Sequence, residues 1–390
     1  MTEATMSSRR LAVYTDYAYT IREGEVYAER AFALFMMAVL AHAAEGTVIG
    51  RLRPSGGQAR YRLGDGVSFV ALPYYADGSR ASSLVRAFAI SFRRLWRSLD
   101  SVDTAWILGP HGLAIPFALL VLARRRRLRL GVRQDLRAYA RSRHPRRRIV
   151  HRLADILEWV YRMLARRYPV VVVGEGLRES YSRGRAVLAT SVSLVADADI
   201  VSLTPALERE WGDRLIVLSV GRLDAEKNPL LLIDIIGALV RADSRWQLTI
   251  CGEGPLEAAL AERVVERRLD EHVQIRGYVP FAELREVYRT SHVFMHVSLT
   301  EGLPQVLFEA FAAGLPVVAT EVGGVRAAAD GAAMLVAANR VPEAVSAITC
   351  LQRSPRQRAE LVAAGIRVAR AHTLEREAVR VATFLLDGDG

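Results

Sequence analysis

A single lysine, Lys227, stands among 52 arginines in this 390-residue sequence. It lies in the run Gly221-Arg222-Leu223-Asp224-Ala225-Glu226-Lys227-Asn228, directly after the apolar stretch Leu215 to Val220. An ammonium is a compact point charge and a guanidinium a planar fork, so Arg222 and Lys227 offer two different cations to one anion. A diphosphate suits that pair. A second run, Thr300-Glu301-Gly302-Leu303-Pro304-Gln305-Val306-Leu307-Phe308-Glu309-Ala310, places Glu301 in a loop and Glu309 about two helical turns further on. Carboxylates accept pairs of hydroxyl protons, so the two can bracket a polyhydroxylated ligand from one side. Glu309 sits among Leu307, Phe308 and Phe311, where an idle charge would be costly. In Cys251-Gly252-Glu253-Gly254-Pro255, a Gly-x-Gly turn between a strand and a helix opening at Pro lets Gly252, Glu253 and Gly254 approach a nucleotide. Gly323-Gly324 reads as a further strand-to-helix turn.

Short β-branched runs alternate with longer amphipathic stretches, which predicts parallel sheets joined by crossover helices. The first half gives strands at Leu11–Tyr14, Val48–Gly50, Val67–Leu72, Trp106–Leu108, Leu128–Val132 and Val170–Val173, with helices near Glu25–Ala44, Ser82–Leu99, Leu113–Arg125 and Arg148–Arg167. The second gives strands at Leu215–Val220, Gln247–Cys251, Val273–Ile275, Val293–Val297 and Val317–Ala319, with helices near Pro229–Val240, Pro255–Arg268, Phe281–Arg289, Gln305–Ala312 and Arg356–Ala371. Ser191 to Asp213 lacks a period and reads as a linker. The expected organisation is therefore an α/β protein with two Rossmann-like domains, residues 1–195 and 196–390. Open α/β sheets bind ligands beyond the carboxyl ends of their strands, where the runs above are found.

Charge divides the chain in the same place. Residues 1–195 carry net +17 and residues 196–390 net −6. In the basic half, Arg124–Arg129 and the cluster Arg137, Arg141, Arg143, Arg146, Arg147, Arg148 and Arg152 are interleaved with apolar segments, a pattern that attracts anionic lipid. Nucleic acid is a weaker expectation, because the clusters lack interleaved stacking aromatics and match no nucleic-acid module. Cys251 and Cys350 form no framework or metal spacing, which suits a reducing cytoplasm. The longest apolar runs are too short to span a bilayer, and no secretory signal is read, so the protein is expected to be cytoplasmic or peripheral to the membrane's inner face.

From about Leu215 to Val336, the Arg222/Lys227 run, Gly252-Glu253-Gly254, and the Glu301-to-Glu309 run followed by Ala312-Ala313-Gly314-Leu315-Pro316-Val317-Val318-Ala319-Thr320 resemble the retaining glycosyltransferases of family 4, which have the GT-B fold with an interdomain cleft. The resemblance implies that Arg222 and Lys227 hold a donor diphosphate, with Gly221 among the donor-binding residues. It further implies that Glu301, Gly302 and Leu303 hold the donor sugar and that Glu309 binds ribose. Two positions in the first half extend it. The loop Tyr19-Thr20-Ile21-Arg22-Glu23-Gly24-Glu25 has Gly24 alone where relatives often carry a Gly-Gly pair, and His111 in Leu108-Gly109-Pro110-His111-Gly112 stands where a family histidine ends a middle strand. The acid that often follows the second domain's Gly-Gly pair is missing, since Gly324 is followed by Val325-Arg326-Ala327-Ala328.

The expectation is then a retaining hexosyltransferase that moves a sugar from a nucleoside-diphosphate sugar to an unidentified acceptor, lipid-linked or a glycan precursor, with no cofactor and no metal. His111, Arg222, Lys227 and Glu301 are the expected catalytic set. Asp197-Ala198-Asp199 resembles a metal-binding Asp-x-Asp but follows no nucleotide-binding strand. His292 and His296, four apart on a strand, would be roughly 13 Å apart, too far to share an ion. Competing readings are a nucleotide-sugar epimerase on the same fold and, less favoured, a nucleic-acid-binding protein.

Overall fold

A computed structural model describes residues 8–54, 56, 59–75, 81–143 and 146–388. The chain divides into two compact units, residues 1–192 with 374–390, and residues 193–373.

The first unit runs β1 (Arg10–Arg22), β2 (Glu25–Ala28), α1 (Phe32–Leu40), β3 (Glu45–Leu52), β4 (Tyr61–Arg62), β5 (Val67–Pro73), α2 (Ala81–Ser98), β6 (Thr104–Gly109), α3 (Ala114–Ala123), β7 (Arg127–Val132), α4 (Leu136–Arg143), α5 (Arg148–Ala165), β8 (Val170–Val173), α6 (Glu175–Ser180) and β9 (Val187–Thr190). A parallel sheet in the order β5-β3-β1-β6-β7-β8-β9 forms its centre. Strands such as Ala105 to Leu108 are buried on both faces because crossover helices cover both sides.

The second unit runs α7 (Leu203–Leu207), β10 (Leu215–Val220), α8 (Leu230–Ala242), β11 (Trp246–Cys251), α9 (Glu257–Glu266), β12 (Val273–Ile275), α10 (Phe281–Thr290), β13 (Val293–His296), α11 (Gln305–Ala312), β14 (Val317–Thr320), α12 (Val325–Ala329), β15 (Ala333–Val336), α13 (Val341–Arg353) and α14 (Pro355–Ala371). Its six strands are all parallel, in the order β12-β11-β10-β13-β14-β15. Alternate residues feed two cores. Val217, Met295 and Val318 pack with Ile236 and Leu248 on one face, whereas Leu218, Phe294 and Val317 pack with Leu307 and Phe311 on the other. The order reverses between β10 and β13, and that is where an open parallel sheet leaves a crevice for a ligand.

Three differences from the sequence reading have physical causes. The helix expected from Glu25 begins as β2, because Glu23 and Gly24, with φ of 52° and 81°, close a two-residue hairpin that pairs Arg22 with Glu25 and Ile21 with Val26. Of the expected linker Ser191 to Asp213, the part from Ser193 onward contains α7 and belongs to the second unit, where the Val201 amide donates to the Ala312 carbonyl at 2.9 Å. The last helix, α15 (Leu374–Leu386), belongs to the first unit and packs against α1. Its amphipathic face buries Ala378, Val381, Ala382, Leu385 and Leu386. Among the described residues, no helix is long and apolar enough to cross a membrane.

Candidate active site

The two loops that leave the strands flanking the switch point carry the charged residues. After β10, the backbone turns through Gly221 to Asn228, where Asp224 accepts the Lys227 amide at its side chain (3.2 Å) and at its carbonyl (3.1 Å). After β13, the Leu299 amide donates to the Glu226 carbonyl at 2.8 Å, stapling this loop to the first. These bonds bring the one lysine and Glu301, 74 residues apart, into an ion pair. The Glu301 side chain is only 7% exposed and that of Lys227 25%. Glu301 Oε1 also accepts from Ser298 Oγ at 2.7 Å and lies 2.9 Å from His296 Nε2. Burial alone would raise the Glu301 pKa. The hydrogen bond from His296 and the Lys227 charge outweigh it and hold the carboxyl well below its ordinary range, so it is ionised at neutral pH.

Sequence reasoning missed His296 and Ser298 as partners of this carboxylate. The signal was present: residues two apart at the end of a strand share a face, and both immediately precede the Glu301 loop. His296 Nδ1 is buried and has no hydrogen-bond partner among the described residues.

Arg222 does not join this pair. Its side chain is 65% exposed and its guanidinium pairs with Asp224 and, at 3.4 Å, with Glu226. Glu309 has a different environment again. It lies on the half-buried side of α11, accepts from Tyr288 Oη at 2.9 Å, and lines a cavity of about 570 Å³ with Tyr288, Phe281, Arg285, Val195 and Ala312. Burial pushes its carboxyl pKa up, against the Tyr288 hydrogen bond. Glu301 and Glu309 thus keep separate partners, one ionised against a lysine and the other crowded beside a phenol.

The glycine turns meet a packing requirement of their own. A Cβ on Gly252 would lie 1.8 Å from the Gly221 carbonyl oxygen, and one on Gly324 1.9 Å from that of Gly302. Glycine is required so that neighbouring loops stack backbone on backbone, with the Gly221 amide donating to Cys251 at 3.0 Å and the Leu223 amide to Glu253 at 2.9 Å. Gly221 and Gly302 have open space where a Cβ would stand. Gly302 and Leu303 precede α11, whose first-turn amides lack intrahelical partners.

In the first unit, Gly24 occupies the β1–β2 hairpin turn, with no helix N-terminus following it. His111 follows β6 and lies with its ring 5.3 Å from that of Tyr14. Burial lowers its pKa, so the imidazole is neutral, and its Nε2 has no hydrogen-bond partner among the described residues. His292 uses both ring nitrogens, accepting the Ile216 amide at 3.0 Å and meeting the Glu210 carbonyl at 2.9 Å. In the Asp-Ala-Asp run, Asp199 accepts the Ala196 amide at 3.0 Å and pairs with Arg285 at 2.6 Å.

Residues 214–354, which include both charged loops, match the family model described as Glycosyl transferases group 1. The solved structures that superpose on the chain decide the architecture. HepE from Anabaena, in complex with UDP and glucose, covers 97% of this chain and 99% of its own with a TM-score of 0.68 at 15% identity. A trehalose-6-phosphate synthase studied for glycosyltransfer with retention covers 96% and 98%, with a TM-score of 0.68 at 14% identity. The fold is GT-B. Among curated proteins, a phosphatidylinositol N-acetylglucosaminyltransferase subunit from Arabidopsis thaliana is 32% identical over 127 residues, 33% of this chain and 28% of that protein. The amylovoran biosynthesis glycosyltransferase AmsK of Erwinia amylovora is 34% identical over 117 residues, 28% of this chain and 29% of its own. The chain thus matches less than a third of the length of these relatives.

Proposed function

We propose that this GT-B protein is a retaining glycosyltransferase that transfers a sugar from a nucleoside-diphosphate donor to an acceptor without a metal ion. The observation that carries the reading is the Lys227–Glu301 pair at the switch point of the second sheet, inside the segment that matches the glycosyltransferase model. Breaking the C1–O bond builds positive charge on the sugar and negative charge on the departing diphosphate. Fixed cations aimed at that negative charge lower the barrier. In this reading the diphosphate draws Lys227 from Glu301, with Arg222 and the first amides of α11 completing the anion site. Glu301, ionised and oriented by Ser298 and His296, then accepts from sugar hydroxyls while the Gly302 and Leu303 amides donate to sugar oxygens, and Glu309 accepts from the ribose hydroxyls.

No second carboxylate is assigned as a nucleophile, so transfer proceeds on the front face, with the leaving phosphate deprotonating the acceptor hydroxyl. The relatives whose names specify phosphatidylinositol or amylovoran biosynthesis support an acceptor that is lipid-borne or a glycan precursor, and in this reading the enzyme uses it at the inner face of a membrane. The test is a panel of UDP- and GDP-sugars, followed by nucleotide release and thermal stabilisation in the presence of EDTA. One donor is expected to be turned over in EDTA. Chelation that abolishes turnover, restored by Mg²⁺ or Mn²⁺, would overturn metal independence, and a panel with neither release nor stabilisation would overturn the transferase reading.

A further inference from the structure

Surface helices normally bury their apolar stripe. In α5 the arrangement is reversed. Its buried side holds Ala154, Glu158, Tyr161 and Ala165, while Ile149, Leu153, Ile156, Trp159 and Met163 are 75, 55, 56, 60 and 40% exposed. At 100° per residue these five fall within a sector of about 120°, one continuous outward face along the helix. An exposed apolar band of this kind marks an interaction surface.

The charges around it select the partner. Both acids of α5 are occupied. Glu158 accepts from Arg162 at 3.0 Å and from Tyr181 at 2.9 Å, and Asp155 is held by Arg137 at 3.2 Å and Arg141 at 3.5 Å from α4. What remains exposed is basic, with Arg146, Arg147, Arg148 and Arg152 at one end of the band and Arg166 and Arg167 at the other. Two copies of this face would bring like charges together. Much of the other basic run of this unit is spent internally. Arg124 pairs with Asp100 and stacks on Trp96 at 4.7 Å, and Arg129 donates to the Leu385 and Gly388 carbonyls at 3.1 and 2.5 Å.

We propose that the outward face of α5 docks the protein on an anionic bilayer, lying in the interface with Trp159 and the aliphatic side chains among the acyl chains and the flanking arginines on the headgroups. Tryptophan at headgroup depth and arginines that snorkel from an apolar band are the composition such a helix requires. The proposal specifies the membrane association included in the reading above and is scored separately from the donor chemistry of the second unit.

The test uses the full chain with vesicles of phosphatidylcholine alone and of phosphatidylcholine with phosphatidylglycerol, by co-sedimentation at low and high salt. Binding to the anionic vesicles is expected, weakened by salt. It should fall about tenfold or more both for Ile156→Asp with Trp159→Asp and for Arg148→Glu with Arg152→Glu. These positions are exposed, so folding, followed by circular dichroism, and nucleotide-induced thermal stabilisation should be unchanged. Wild-type protein that ignores anionic vesicles at low salt would overturn the proposal, as would unchanged binding by the Asp pair. A dimer that dissociates with the Asp pair while vesicle binding persists would assign the face to a second copy instead. Loss of nucleotide stabilisation in every protein, with vesicle binding intact, would remove the transferase reading and leave the docking face standing.

Discussion

Lys227 and Arg222 were read together from the sequence, yet their surroundings assign them unequal parts. Lys227 is held by a buried carboxylate, so its position is set before any ligand arrives. Lys227→Ala should lower turnover by about two to three orders of magnitude, the equivalent of roughly 3–4 kcal/mol of lost charge stabilisation. Arg222→Ala should also slow turnover. It should leave thermal stability unchanged, because exposed ion pairs such as those to Asp224 and Glu226 contribute at most about 1 kcal/mol. Steady-state kinetics beside a melting curve checks both. Near-wild-type turnover in either variant removes that residue from the diphosphate site. Glu301 adds a pH signature. Its folded pKa lies below the unfolded one, so the stabilisation is present above the unfolded value near pH 4 and lost as pH falls through the folded one. Glu301→Gln should therefore destabilise by roughly 3 kcal/mol at pH 7, with the difference from wild type shrinking below pH 4. A gap that is constant with pH would mean that the carboxylate is not ionised against Lys227.

At the scale of elements, α11 carries Glu309 on its half-buried side facing Tyr288 of α10. Because burial raises the Glu309 pKa, ionisation is a cost that appears above the unfolded pKa and grows until pH reaches the folded value. Glu309→Gln keeps an acceptor for Tyr288 and removes that cost, so it should be at least as stable as wild type at pH 8 and bind the donor nucleotide more weakly. Calorimetric titration with the nucleoside diphosphate decides. Unchanged affinity would detach Glu309 from ribose and leave it a partner of Tyr288 alone. The strands that place these helices are legible because Leu215–Val220 and Val170–Val173 are dense in buried β-branched residues, the mark of a buried parallel strand. Val187–Thr190 and Ala333–Val336, only partly buried and with β-branched residues mixed among Ala, Leu and Met, carry too little pattern to be read. Glu25–Ala28 was absorbed into a helix because the hairpin depends on two residues with positive φ, and of those only Gly24 advertised it. In the candidate site, residue types and order were legible. What was not legible was the partnership: which carboxylate meets the lysine, and that His296 and Ser298 orient it, follow from loops that converge only once the parallel sheet exists.

At the scale of the whole molecule, the two units are not two consecutive halves of the chain, because α15 returns to the first. No local pattern signals this, since an amphipathic helix shows that it has a face to bury and not which core receives it. The return is built into the first unit's polar interior. Glu377, 0% exposed, accepts from Thr190 Oγ1 at 2.8 Å and from Arg380 at 2.8 Å, and Arg9 and Arg129 donate to the last carbonyls of the helix, where the dipole favours cations. Ending the chain after Thr373 would uncover Ala378, Val381, Ala382, Leu385 and Leu386 from that core and remove the helix carbonyls to which Arg9 and Arg129 donate. With each large apolar side chain contributing roughly 1.5–3 kcal/mol, the loss is comparable to the entire stability of a domain, about 5–15 kcal/mol. The truncated chain should therefore lose the unfolding transition of the first unit and become open to proteolysis there. The second unit, residues 193–373, should keep its own transition and its stabilisation by nucleotide. Calorimetry with limited proteolysis separates the two. A truncated protein whose first unit still melts cooperatively would show that α15 only decorates that core, and one whose second unit unfolds first would place the helix with the other sheet.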